Sequence, residues 1–429
     1  MNATASIITS SSTDDCKPSR LSLTERLCRH AVLEAFAGMP AGHLQLTLPD
    51  GSSRSFGQEH HLPPARIRVL NERFFSRCVK SGDIGFGEAF VDGDWETDDI
   101  ARVISWFLLN VENSPTLSGS RKPSWKLNLF RLANRMRHLF RRNHKDGSRE
   151  NIHAHYDLGN EFYGLWLDRT MSYSSAIFDS PDQSMESAQF AKYEALCRQL
   201  KLTSDTHILE IGCGWGGFAE HAVNNHGCRV TAVTISQEQF DFAKRRFQDA
   251  GIANRIDLQL IDYRDIKGSY DRIVSIEMLE AVGDEFYDTF FRQCQTLLKP
   301  DGLMALQYIT CPDSRFDEFK RGVDWIQKHI FPGSLLPSVN RVGESLNRTG
   351  ELFLHNLRDI GNSYALTLKL WRNEFNARLD EVKKLGFDHE FIRKWNYYLA
   401  YCEAAFSKRN ISVVQAIYTR PNNRTLFAT

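Results

Sequence analysis

The residues Ile208-Leu-Glu-Ile-Gly-Cys-Gly-Trp-Gly-Gly217 combine one acid with four closely spaced glycines. Residues of β-strand bias run into a loop carrying Gly212, Gly214, Gly216 and Gly217, and Phe218-Ala-Glu-His221 then starts a helical pattern. Glycine lets a backbone approach a ligand closely and take φ values that other residues resist. Strand, glycine loop and helix in that order form the nucleotide-binding corner of an α/β fold, with the ligand beyond the strand's carboxyl end. The spacing is G-x-G-x-G-G, not the G-x-G-x-x-G of dinucleotide enzymes. An acid, Glu210, stands just before the turn. Both details point to S-adenosylmethionine (SAM) rather than a nicotinamide cofactor.

The elements that must position this loop follow in order. Arg229 to Ile235 reads as a second strand, and Ser236 is a natural N-cap for a helix over Gln237 to Asp249. Ile256 to Leu260 is a third strand, ending at Asp262-Tyr263-Arg264-Asp265. Asp271 to Ile276 is a fourth, leading into Glu277-Met-Leu-Glu280. Leu303 to Ile309 is a fifth, after the turn Lys299-Pro-Asp-Gly302. Strands alternating with helices predict a parallel, doubly wound sheet: the class I SAM-methyltransferase fold. Ligand groups then fall on the strand-end loops, at Gly212–Gly217, Thr234–Gln239, Asp262–Tyr263, Glu277–Glu280 and Gln307–Ile309.

Length and composition bound the rest. A chain of 429 residues exceeds one ordinary core, so two domains are expected. Equal numbers of basic and acidic residues, 53 each, argue against a nucleic-acid binder. No apolar run reaches the roughly 18 residues of a membrane span. The Ser/Thr-rich stretch 1–20 is expected to be a disordered tail and not a signal peptide. Nine scattered cysteines without a C-x-x-C pair suit a reducing cytoplasm and no zinc site.

Residues 21–112 read as a smaller α+β domain, with a helix from Ser22 to Phe36, a strand near Leu44–Leu48 and a turn-rich piece, Gly85 to Trp95. Residues 113–150 form a linker and a basic segment. Arg121 to Lys145 holds nine Lys/Arg and no acid, with Leu129, Leu132, Ala133, Met136 and Phe140 at helical spacing. Such a helix suits an anionic membrane surface, and a helix packed on the protein with a solvated basic face gives the same pattern. Residues 151–429 are the catalytic domain. Arg315 to Ile330 reads as helical, Phe331 to Pro337 as a loop, and Tyr364 to Phe406 as helices rich in aromatics. A last strand, Ser412 to Thr419, is expected to pair with Leu352–Asn356 as a hairpin. The helices between would form a lid whose aromatics line an apolar substrate channel.

Together these segments resemble the cyclopropane-fatty-acyl-phospholipid synthase family, from about Leu21 to Arg420. The resemblance is carried by Gly85–Trp95, His155-Tyr-Asp-Leu-Gly-Asn160, Tyr173-Ser-Ser-Ala176, Glu210–Gly217, Val233-Thr-Ile-Ser236 with Gln239, Asp262-Tyr-Arg264, Ser275–Gly283, Ile330-Phe-Pro-Gly333 and Tyr397–Phe406. It implies SAM-dependent methylenation of the cis double bond of an acyl chain in a membrane phospholipid. It implies that Tyr173, Ser174, Gly212–Gly217, Thr234, Ser236, Gln239, Asp262 and Tyr263 hold SAM. It further implies a bicarbonate ion as the base, held by Ser175, Glu280, Gln307, Ile309 and Tyr364. Cys402 matches a cysteine proposed as nucleophilic in this family, but methyl transfer needs no thiolate, and packing in a helical aromatic region is the better reading. His153 and His155 suggest a metal only in isolation, and no metal site is expected. A cytoplasmic protein, peripheral on the inner face of the membrane, is the expected setting, and a homodimer is admitted.

Three positions depart from the commonest bacterial pattern, which has Cys at 175, His at 281 and His at 307. Here Ser175, Ala281 and Gln307 stand there, and Glu277-Met-Leu-Glu-Ala-Val-Gly283 looks more like the plant cyclopropane synthases and a second bacterial branch. A hydroxyl and an amide can still bind an anion. Methylation of the alkene without ring closure is the alternative activity.

Overall fold

The computed structural model describes residues 21–58, 63–113 and 158–427. The tail, the basic segment, His153 and His155 lie outside the described residues.

The first layer of structure is a four-stranded sheet with three helices. Strands β1 (His43–Thr47), β2 (Ser53–Gly57), β3 (Ala65–Val69) and β4 (Trp95–Glu96) lie in the order β2-β1-β3-β4. Helix α1 (Leu23–Ala37) starts with a full capping box, Ser22 with Glu25. Helices α2 (Arg73–Val91) and α3 (Ile100–Leu109) cover the sheet.

The turn-rich reading of Gly85–Trp95 is corrected: residues to Val91 are helical, after a kink at Gly82 (φ 58°, ψ −131°). The glycines serve close packing instead. A Cβ on Gly87 would stand 2.5 Å from Trp325 Cδ1, and one on Gly85 would stand 2.1 Å from the Arg77 carbonyl oxygen.

The second sheet has seven strands, in the order β10-β11-β9-β8-β5-β6-β7. These are β5 (His207–Ile211), β6 (Arg229–Thr234), β7 (Ile256–Leu260), β8 (Tyr270–Ile276), β9 (Leu298–Thr310), β10 (Phe353–Asp359) and β11 (Ser412–Thr419). Strands β5 to β9 are parallel, and the predicted hairpin closes one edge with β11 antiparallel to both β9 and β10. Near-continuous apolar runs suit strands covered on both faces. Phe290, Phe291 and Leu297 pack on one face; Leu196, Phe218 and Phe247 pack on the other. The turn read at Lys299–Gly302 is absorbed into β9, with a register shift against β8.

Arg315 to Ile330 breaks into two short helices, Phe316–Arg321 and Trp325–His329. The lid consists chiefly of helices Gly361–Ala377 and His389–Ser407. It carries the N-terminal sheet as well. The guanidinium of Arg393 lies 4.1 Å from the Phe90 ring centre and donates to the Phe90 and Trp95 carbonyls at 2.7 and 3.0 Å. One apolar cluster runs from Phe74 and Trp95 through Trp325 and Tyr397 to Trp371.

Candidate active site

The strand ends predicted to carry ligand groups open onto one cavity of about 360 Å³. Glu210, Gly212 and Gly214 reach it from the end of β5, Thr234 and Gln239 from the end of β6, and Asp262 and Tyr263 from the end of β7. Gly214 has a φ of +53°, and nothing lies within 4 Å of where its Cβ would be. Gly216 serves differently. It caps the helix Gly217–His226, and a Cβ there would meet Phe247 Cζ at 2.6 Å, so its bareness lets two helices pack. Ser236 also stands back from the cavity, accepting from Gln239 N at 3.3 Å as the predicted N-cap. Thr234 Oγ1 donates to Gln239 Oε1 at 2.9 Å, which fixes that amide. Asp262 accepts from Arg264 N at 2.9 Å.

Glu210 is almost fully buried, and its Oε2 has no hydrogen-bond partner. Burial pushes its carboxyl up to about 8, against the pull of Lys192. Lys192 is also buried, which brings its ammonium down to about 8, and it donates to Ser174 Oγ at 2.8 Å. Its importance was not legible in the sequence. An orphaned acid beside open glycine backbone fits a cationic ligand bearing ammonium and hydroxyl donors, which SAM is.

The far end of the cavity is aromatic. Tyr173 packs against Trp166 and Trp371, each at a ring separation of 5.5 Å, and its hydroxyl meets that of Tyr398 at 2.8 Å. Tyr364 stacks on Phe406 at 4.4 Å. Cys402 lines this end, and burial pushes its thiol well up, which disfavours the thiolate.

Where the two ends meet stand two acids after β8, the half-buried Glu277 and the buried Glu280. Glu280 accepts from the Ile309 N–H through Oε1, while its Oε2 is unpartnered. Burial and the neighbouring Glu277 raise its carboxyl to about 8.

Of the five groups assigned to bicarbonate, three turn to Glu277 instead. The Ser175 N–H donates to Glu277 Oε1 at 2.9 Å, Gln307 Nε2 to the same oxygen at 2.8 Å, and the Tyr364 hydroxyl to Oε2 at 2.8 Å. The Ser175 hydroxyl, expected to face the anion, donates to the Ala176 carbonyl at 3.0 Å. These donors therefore do not fit a free bicarbonate as the residues stand. Burial raises the Glu277 carboxyl, and the three donors oppose that rise.

Glu277 also holds a left-handed φ of +50°, which costs a non-glycine residue on the order of 1–3 kcal/mol. The sequence places it on a ligand-bearing loop, while the resemblance gives the acid's role to Glu280. The pairing of Ile276 with Gln307 across β8 and β9 is the signal that sets Glu277 beside that amide.

Away from the cavity, Cys197, His221 and His226 bring possible ligand atoms within 4.8 Å of one another. Both imidazoles already face Glu194 Oε2, at 3.3 and 3.0 Å.

The sheet order, the glycine loop and the acids at the strand ends define a SAM-dependent methyltransferase. Comparison with known proteins takes this further. Residues 143–416 match the family model for mycolic acid cyclopropane synthetase, and the chain belongs to that family. It is 35% identical over 359 residues to the cyclopropane-fatty-acyl-phospholipid synthase of Escherichia coli, covering 83% of this chain and 88% of that one. It is 34% identical over 382 residues to a tuberculostearic acid methyltransferase of Mycobacterium tuberculosis, covering 87% and 88%. Among solved structures, the mycolic acid cyclopropane synthase CmaA1 complexed with SAH and CTAB matches 63% of this chain and 98% of its own. Its TM-score is 0.59 and its identity 30%.

Proposed function

We propose that this protein transfers a methylene group from SAM to the cis double bond of an unsaturated acyl chain in a membrane phospholipid, forming a cyclopropane ring. The observation that carries this reading is one cavity joining an open glycine loop and orphaned acid to an aromatic channel, with Glu277 and Glu280 at the junction.

Bound SAM supplies a methyl group activated by its positive sulfur. An alkene is a weak nucleophile, so the protein's first task is to hold it close in a dry channel. The rings of Tyr173, Tyr364 and Phe406 line the cavity; they exclude water, and their faces stabilise the cation left on the chain after transfer. Ring closure then needs a base. The family resemblance supplies it as bicarbonate; here the donors for that ion are engaged by Glu277, and the proposal places a carboxylate-type acceptor at this junction.

Among the described residues no helix is long and apolar enough to cross a membrane. Access to phospholipid is therefore proposed as peripheral binding at the inner face of the cytoplasmic membrane, through the basic segment 121–145. A homodimer is proposed on the outer strand β10, where Phe353, Leu354 and Leu357 stay exposed.

The second reading, alkene methylation without ring closure, is favoured by the similarity to the tuberculostearic acid methyltransferase. Fatty-acid profiling of a host expressing the protein separates the two. New cyclopropane acyl chains, recognised by upfield ring protons in NMR, support the first; methyl-branched or methylene chains support the second. An unchanged profile contradicts both.

A further inference from the structure

A carboxylate and a bicarbonate ion present the same planar pair of oxygens to hydrogen-bond donors. At the junction of the cavity that pair is supplied by the chain itself. Glu277 takes the Ser175 N–H and the Gln307 amide on one oxygen and the Tyr364 hydroxyl on the other.

The arrangement is braced from behind. The Glu277 N–H donates to the Gln307 carbonyl at 2.7 Å. Gln415, buried on β11, donates to Gln307 Oε1 at 3.0 Å, which turns the Gln307 NH2 toward Glu277. The left-handed backbone of Glu277 persists only because these bonds over-determine it. Such strain at a half-buried, cavity-facing acid marks a functional position.

We propose that the Glu277 carboxylate is the base that closes the ring, standing in the place a bound bicarbonate would take. The proposal rests on the function proposed above, since it presumes a cation on the acyl chain. The methyl group arrives with its former bond pair left on the departing sulfur. One alkene carbon gains the methyl, and the other becomes cationic. Glu277 takes a proton from that methyl, and the released C–H pair becomes the new C–C bond. The neutral carboxyl then returns its proton to solvent, so no free anion is consumed.

The test uses the full chain with vesicles of unsaturated phospholipid, in CO2-free buffer and in added bicarbonate. The wild type is expected to turn over equally in both. Glu277→Gln keeps the shape and should bind SAM normally by calorimetry, while product formation falls about 10²- to 10⁴-fold and bicarbonate does not restore it. Glu277→Gly suits the left-handed backbone and empties the anion position; it should be equally slow without bicarbonate and at least about tenfold faster with it.

The proposal is overturned by a wild type that needs bicarbonate, by Glu277→Gln at the wild-type rate, or by a Glu277→Gly that no added carboxylate accelerates. A wild type that modifies no unsaturated acyl chain in either buffer overturns the underlying function, and this proposal with it.

Discussion

The hydroxyl of Tyr364 donates to Glu277 Oε2 at 2.8 Å across 87 positions of sequence. It ties the helical lid to the end of a central strand, so the acid is fully dressed only when the lid is docked. Removing that donor with Tyr364→Phe keeps the stack on Phe406. A hydrogen bond to a charged group contributes roughly 1.5–3 kcal/mol, so turnover should fall roughly ten- to a hundred-fold with SAM affinity unchanged. Steady-state SAH release and calorimetry read the two effects separately. A large loss of SAM affinity with normal turnover would contradict the assignment.

The proposed cofactor site makes the backbone at Gly214 critical. Its left-handed φ and the open space before it leave no room for a branched side chain once a ligand approaches. Gly214→Val should abolish SAM binding in calorimetry while the far-ultraviolet spectrum stays native. Normal SAM affinity in that variant would move the binding site elsewhere.

Glu210 makes a prediction about pH. Burial pushes its carboxyl from 4.5 to about 8. The unfolded chain titrates near the lower value, so between the two the folded state holds a proton that the unfolded state has lost. Stability is then complete at acid pH and falls as pH rises through this window. The slope is at most on the order of 1.4 kcal/mol per pH unit for one group. Glu280 contributes with the same sign. Thermal melts without SAM should therefore show the wild type losing more stability from pH 5 to pH 8 than Glu210→Gln. Parallel losses would show that Glu210 titrates normally.

Much of this was legible in the sequence, for local reasons. Buried parallel strands write themselves as apolar runs, and β5 and β6 fall within a residue of where the pattern sets them; β7, an edge strand, is found by its alternation of Ile256, Leu258 and Leu260 with polar residues. The N-cap at Ser236 was equally local. Gly85 and Gly87 misled because a glycine required by a close carbonyl or a packed tryptophan looks the same in sequence as one required by a turn. Gly216 is ambiguous in the same way, since the space a Cβ would take there is held by Phe247. Glu277 was hidden for a different reason. Its partners come from Ser175, Gln307 and Tyr364, and nothing local in the chain announces that three such distant residues converge.

The basic segment carries the proposed membrane contact and lies outside the described residues. Each cation near an anionic surface contributes about 1 kcal/mol. Changing Arg131, Arg135, Arg141 and Arg142 to Glu should weaken sedimentation with anionic vesicles by several orders of magnitude and leave SAM affinity intact. Unchanged sedimentation would return those arginines to an ordinary solvated face.

The central claim is the formation of a cyclopropane ring, and the product itself tests it most directly. The purified protein would be incubated with SAM and vesicles of a mono-unsaturated phospholipid, and the extracted lipid examined by proton NMR. The account predicts loss of the vinyl signals together with new ring protons far upfield, in proportion to the SAH released. SAH release accompanied by exocyclic methylene or branched-methyl signals, with no upfield protons, would contradict it.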